Sequence, residues 1–544
     1  NISSVPLFRL FASSILFLRD NENNMRHKGT PEHYFMANFA NESKPSYYYH
    51  MNPKISMREK VGYSLGDVAA NLVFQMMMIY QTKFYTDVFG LEGAIAGTVM
   101  LVARIVDAFV DPTVGILSDR TQTKWGKYRP WVLWTALPFM VFYVLAFYNP
   151  GIEEKGLVAL YATISYTLLM TMYSFNNTPY SSLGGVMSSD IKERTSITSV
   201  RFVFSTIAQF VVQGLTLPLV SKFSEGSDKA HGWLCTISLF AAVGFLFLVI
   251  VFFSAKERIT PPANQKNDTR QDIKDVLSSV PWRAMFVLTL FVFITLAMWG
   301  SAMNYYFENY VDKAALFTFL DNIGLVATDG GTSVGYHILD AFGLIVTSPD
   351  KAYEVGFGVF NMVGALVQFF GVICLSEFLA NKYGKKRTFI VCLALTAIFT
   401  ALFYFPSKYD IEMMFVLNFL KSLAYAPTVP LLWAMIADVA DHSEYINYRR
   451  ATGFIFSGVV FALKAGLGIG GAVLGFLLSG FGYVSGVDIA QSDTAVHGII
   501  LSSSLIPAAF FFVGVVALCF YPISKEYNEK MQAELTARRS KSDY

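Results

Sequence analysis

Residues 94–117 read AIAGTVMLVARIVDAFVDPTVGIL, a run long enough to cross a hydrocarbon core of roughly 30 Å that nonetheless carries Arg104, Asp107 and Asp111. At helical spacing the three fall at i, i+3 and i+7, on one face. A charge at bilayer depth costs a few kcal/mol or more, so such groups turn toward protein or water and usually belong to an ion or substrate path. Two ionised carboxylates roughly 6 Å apart repel by about 3 kcal/mol at an effective dielectric of 20. A bound cation or a nearby base reverses that sign. Lys464, in the middle of the apolar run 452–480, is the expected base and is read as the only lysine deep in the second half. The competing reading is a permanent Arg-Asp-Lys brace between helices.

The composition agrees with a membrane chain. Apolar residues make up 54% and charged residues only 15%, too few to cover a soluble globule with polar surface. The net charge of +2 and the scatter of basic residues argue against nucleic acid as a partner. Cys235, Cys374, Cys392 and Cys519 lack CxxC spacing and read as small hydrophobes. There is no HExxH, zinc spacing or nucleophile elbow, so neither an enzyme nor a cofactor is expected. Gly466, Gly468, Gly470 and Gly471 follow no strand and read as a surface for close helix contact, not as a nucleotide loop.

Twelve apolar runs of spanning length occur, at about 61–86, 94–118, 131–149, 157–180, 199–221, 233–254, 284–308, 354–379, 388–405, 411–437, 452–480 and 498–521. Alternate loops are basic: Arg120, Lys124, Lys127 and Arg129, then Lys192 and Arg194, the linker, Lys382 to Arg387, and Arg449 with Arg450. The intervening loops hold isolated lysines, so the basic loops and both termini are expected on the cytoplasmic side of a multi-pass protein. Residues 1–56 read as an extension, disordered or lying upstream of a true start at Met51 or Met57.

The halves repeat weakly. Phe84 to Val88 matches Tyr305 to Asn309, the loop WGKYR at 125–129 matches YGKKR at 383–387, and Pro179 precedes Asp190 as Pro430 precedes Asp441. The offset grows from 221 residues (Phe84 to Tyr305) to 258 (Trp125 to Tyr383), which places an insert near 312–353, expected as an external cap. The expected organisation is a six-helix bundle at 57–254, a linker at 255–283, a second bundle at 284–523 and a tail at 524–544.

Polar residues also form lines inside the apolar runs. Asp67, Asn71 and Gln75 share one face of the first helix, and Arg201, Ser205, Gln209 and Gln213 share one face of the fifth; Asn176 and Asn177 precede Pro179 in the fourth. Donors and acceptors in a shared cavity suit a polyhydroxylated ligand such as a sugar. Tyr166, Tyr173, Trp299 and Tyr305 could stack on it, although packing is the commoner use of such rings. Asp438 and Asp441, with Glu444, are expected either to form a gate with loop cations such as Arg120, Lys127 and Arg129 or to be solvated.

YTDVFGL (85–91), LVARIVDAFVDPTVG (101–115) and DRTQTKWGKYRPW (119–131) resemble the glycoside-pentoside-hexuronide:cation symporter family, melibiose permease-like members of the major facilitator superfamily. The resemblance runs from Lys60 to about Tyr527, the insert excepted. It implies an all-α membrane protein of twelve transmembrane helices in two six-helix bundles, with Asp107 and Asp111 as the acids that hold the coupling Na⁺, Li⁺ or H⁺. They would be metal ligands if sodium is used. It also matches Lys464 to the family lysine, Ser174 to its cation-site threonine and Arg201 to its sugar-side arginine. Ala70, Asn71 and Asn177 replace charged sugar-binding residues of melibiose permease, which leaves a neutral glycoside or an anionic hexuronide open. The resulting expectation is a monomeric sugar:cation symporter of the bacterial cytoplasmic membrane, with Asn71, Gln75, Asn177, Arg201 and Gln209 at the sugar. A lysolipid or other amphiphile carrier on the same fold is the alternative.

Overall fold

The computed structural model describes residues 54–188, 190–224, 228–258, 269–327, 333–448, 452–486 and 489–542. Expectations for residues 1–53, for part of the linker and insert, and for Arg449 and Arg450 fall outside these. The spanning helices, numbered in chain order, are α1 (Met57–Ile79, prolonged by Gln81–Lys83 and a wide π turn at Phe84–Val88), α2 (Gly93–Arg120), α3 (Arg129–Ala146), α4 (Lys155–Val186), α5 (Ile191–Phe223) and α6 (Lys229–Ser254). After a short linker helix, Thr269–Ser278, come α7 (Val280–Asn309), α8 (Ala352–Tyr383), α9 (Lys385–Ala401), α10 in two halves (Ile411–Tyr425 and Thr428–Asn447), α11 (Thr452–Gly480) and α12 in two halves (Asp493–Ser503 and Leu505–Cys519).

Eleven of these are long and apolar enough to cross a membrane by composition alone. The twelfth, α1, is less apolar because it carries the Asp67, Asn71 and Gln75 line; it packs between α5 and α6 inside the protein. Several helices run past the expected limits. A hydropathy reading sees the part of a helix that lies in hydrocarbon, whereas α5 begins eight residues before its apolar run, at Ile191. The break in α10 follows from Pro427, which has no N–H to donate back into the helix.

Contacts repeat between the halves. In the first, α1 meets α5 and α6, α2 meets α4, and α3 meets α4 and α6; in the second, α7 meets α11 and α12, α8 meets α10, and α9 meets α10 and α12. The bundles meet along α2 with α11, α5 with α8 and, more lightly, α1 with α7. Small residues permit this approach: a Cβ on Gly475 of α11 would meet the Gly93 carbonyl oxygen of α2, and one on Gly358 of α8 would meet that of Gly214 on α5. One hydrophobic core fills the first bundle and continues into the second only near the insert, through residues such as Met298, Phe307, Phe360 and Leu474. Toward the basic loops the second bundle has a core of its own, built on Leu288, Phe389, Met435 and Leu518. The bundles are therefore fused at the insert face and separate toward the basic face.

The insert forms helices at Lys313–Asn322 and Val334–Ala341. Leu316 packs over Gly356 of α8, and the Lys222 ammonium at the end of α5 donates to the Asp340 carbonyl oxygen, so the insert touches both bundles. The chain after α12 is a further helix, Lys525–Ser542, docked on α10 through Gln532 to Asp441 at 2.8 Å.

Candidate functional site

The acids of α2 meet the second bundle at Lys464. Asp107 is 1% exposed; its Oδ1 accepts from Ser174 Oγ of α4 at 2.6 Å and its Oδ2 lies 3.0 Å from Lys464 Nζ of α11. Asp111 is ion-paired to the same ammonium, and Lys464 also lies 3.4 Å from Ser174 Oγ. Pro112 follows at once, and Arg104 fits over Gly468, where any side chain would strike its Cβ and Cγ. Two carboxylates and a hydroxyl from the first bundle thus converge on one ammonium from the second. The set offers hard oxygen ligands suited to Na⁺ or a proton.

The polar lines of α1 and α5 face each other. Arg201 donates twice to Asp67, from Nε at 2.7 Å and Nη2 at 3.0 Å, and its guanidinium stands over the rings of Tyr63 and Tyr180. Tyr180 OH donates to the same carboxylate at 2.7 Å. Asn71 donates to Ser205 at 3.0 Å, and Gln213 donates to Gln75 at 3.0 Å. Three rungs therefore join α1 to α5, and Asn71, Gln75 and Arg201 are engaged in them. Asn176 is likewise committed, to Thr135 and the Val132 carbonyl on α3. The amides of Asn177 and Gln209 are half-buried with no hydrogen-bond partner among the described residues.

Asp438 holds Lys385 at 2.8 Å from both oxygens, within the second bundle. Arg129 donates to the Phe252 carbonyl at 2.7 Å, within the first, and Arg120 is exposed. Lys127 contributes its backbone: the amides of Lys127, Tyr128 and Arg129 donate to the Glu257 carboxylate at 2.8, 2.8 and 2.9 Å. Gly126, at φ +112°, turns the chain tightly enough to present them, and any Cβ there would strike that carboxylate. The WGKYRP loop is thus an anion nest filled by a residue the sequence reading passed over.

Besides the Lys464 site, polar ties between the bundles lie at the insert face. Lys83 at the end of α1 is 3% exposed, ion-paired to Asp87 at 2.7 Å and to Glu308 of α7. Thr86 meets Tyr305 at 2.8 Å, and Ser301 donates to the Met78 carbonyl at 2.8 Å. Lys83, Asp87 and Glu308 line a vestibule of about 1110 Å³ walled by Trp233, Tyr353, Glu354 and Tyr483 and by Lys313 and Asp350 of the insert. Glu308→Gln leaves Lys83 with Asp87 alone, so a loss of about 1–3 kcal/mol is expected, read as a lower midpoint of thermal unfolding in detergent.

Two pseudo-equivalent six-helix bundles that share a buried ion-pair site define a secondary carrier of the major facilitator fold. Among solved structures, a proton dependent oligopeptide transporter matches with a TM-score of 0.57 over 88% of this chain and 100% of that one, at 13% identity. The chain belongs to the MFS/sugar transport protein family, whose model matches residues 62–343 and 331–525, and it is a membrane symporter, not an enzyme. The chain is 32% identical over 485 residues to the inner membrane symporter YicJ of Escherichia coli (strain K12), covering 89% of this chain and 95% of that protein. It is 30% identical to the isoprimeverose transporter of Lactiplantibacillus pentosus (92% and 95% covered) and 27% identical to the glucuronide carrier protein homolog of Escherichia coli (strain K12) (90% and 97% covered).

Proposed function

We propose that this protein is a sugar:cation symporter working by alternating access, with Na⁺ or H⁺ at Asp107, Asp111 and Ser174 and a sugar beside Asn177, Gln209 and the α1–α5 ladder. The observation that carries the reading is the sharing of one ammonium, Lys464, between two carboxylates of the opposite bundle. An arriving cation replaces the ammonium, and that exchange loosens a tie between the bundles. Ion binding is then linked to bundle motion, and the sugar, bound between the bundles, feels the same equilibrium. With the basic loops and both termini in the cytoplasm, the fused insert face makes this the inward-facing state. At 100 mV one charge carries roughly 2.3 kcal/mol, enough to concentrate sugar a few tens of fold.

The names of full-length relatives, an isoprimeverose transporter and a glucuronide carrier homolog among them, support a sugar and leave its charge open. The test is uptake of labelled glycosides, pentosides and uronates by vesicles under imposed Na⁺ or H⁺ gradients. Accumulation that collapses when the gradient is dissipated supports symport; uptake that only equilibrates, whatever the gradient, rejects it.

A further inference from the structure

Lys421 on the first half of α10 is a second buried lysine of the second bundle, which corrects the expectation that Lys464 stands alone there. It lies ten residues from Ile411, about 15 Å along the helix and so within the half of the span nearer the insert. It is 8% exposed, and its ammonium stands 2.8 Å from the ring centroid of Trp299 on α7.

Its surroundings differ from those of other buried bases. Lys60 has Glu193, Lys83 has Asp87 and Glu308, Arg201 has Asp67, and Lys464 has Asp107 and Asp111; buried Arg104 makes no ion pair among the described residues but lies three residues before Asp107 on one helix face. Lys421 has no carboxylate within 4.0 Å among the described residues. The polar groups beside it are occupied: Asn418 donates to the Phe360 carbonyl at 2.7 Å, and Ser422 donates to Asn418 at 3.5 Å. The indole N–H of Trp299 is also buried without an acceptor. The ring face of Trp299 is the one partner of the Lys421 ammonium among the described residues, and neither the ammonium nor the indole N–H meets an oxygen acceptor inside the span, where an unpaired polar group costs several kcal/mol. A ligand carrying negative oxygen would satisfy both.

We infer that Lys421 and Trp299 form a subsite for a carboxylate on the sugar, and that this pair makes the carrier selective for an anionic, uronate-type substrate. The inference rests on the symport reading above and deepens it. Arg201 is already neutralised by Asp67 on the opposite bundle, so the charge recognition falls to the second bundle, while the free amides Asn177 and Gln209 read hydroxyls from the first. A substrate held at both ends spans the two bundles, which is what a carrier needs if loading is to bias their closure.

The test compares methyl β-glucuronide with methyl β-glucoside, which differ only in carboxylate against hydroxymethyl, in proteoliposomes of the full chain under an ion gradient. Native protein is expected to prefer the glucuronide. Lys421→Met should lower glucuronide uptake roughly thirtyfold or more and leave the glucoside unchanged or improved; Lys421→Arg should keep the preference. If Lys421→Met does not assemble, Trp299→Phe, which removes only the N–H donor and part of the ring, should lower the glucuronide to glucoside ratio severalfold. An unchanged ratio in both variants, or equal loss of both sugars, overturns the subsite. Native protein that accumulates the glucoside but not the glucuronide overturns the subsite alone and leaves symport standing; native protein that accumulates no sugar under any gradient overturns both.

Discussion

Asp107→Asn should abolish gradient-driven accumulation while leaving a folded carrier that still exchanges sugar across the membrane. Asp107 is enclosed, with one oxygen hydrogen-bonded to Ser174 and the other ion-paired to Lys464, whereas the Asp111 side chain is 27% exposed. Removing the enclosed charge takes the stronger anionic ligand from the cation, an effect of about 2–5 kcal/mol, or roughly thirtyfold and upward in ion affinity. Lys464 keeps Asp111, so no charge is stranded and the fold should hold. Asp111→Asn should cost less, because water already screens that carboxylate. The measurement is paired: sugar accumulation under an ion gradient, and exchange of labelled for unlabelled sugar with no gradient. A variant that still accumulates would show that the acids brace helices and do not carry the ion.

That acid pair was legible for the same reason the spans were. In a hydrocarbon solvent a run of about 20 apolar residues has one use, and a charge inside it stands out against its neighbours. Spacing placed Arg104, Asp107 and Asp111 on one face but could not supply their partner; Lys464 came from its mid-span position and a family likeness. Lys421 gave the same signal, a lysine within the run 411–437, yet nothing in the repeat drew attention to it. The α1 and α5 lines are legible as faces, but periodicity reports which way residues point and not what stands opposite. Only tertiary structure shows Asp67 on Arg201 and Gln75 with Gln213. Glu257 was invisible for a further reason: an acid in a basic loop reads as solvated, and its three amide partners lie well over one hundred residues away. The hint in the chain was Gly126, since a glycine between Trp125 and Lys127 permits a turn that bares successive amides. Charge is common in loops and so says little about which residues pair; the Lys83–Glu308 ion pair between the bundles sits at helix ends.

The α2–α11 seam yields the other large effect, because its contact is backbone on backbone. A Cβ on Gly475 would lie 2.2 Å from the Gly93 carbonyl oxygen and 3.0 Å from the Gly97 Cα. Carbon and carbonyl oxygen approach to roughly 3.3 Å at best, so the helices must part by about 1 Å. No flexible side chain is present to yield, and α2 and α11 belong to different bundles, so the strain falls on their association and not on the interior of either. Gly475→Val should therefore assemble in the membrane yet fail to fuse the insert face, and uptake should fall below about 1% of native if every cycle passes through that state. Gly480→Val, five residues on at the end of α11, where a Cβ meets nothing within 4 Å, should transport normally. A cysteine substituted for Ser221 in the vestibule wall reports the closure directly, by its rate of labelling with a membrane-impermeant reagent from outside. Faster labelling in Gly475→Val than in Gly480→Val places the block at bundle closure. Equal labelling with uptake lost would mean that the seam holds the bundles together and takes no part in opening and closing them.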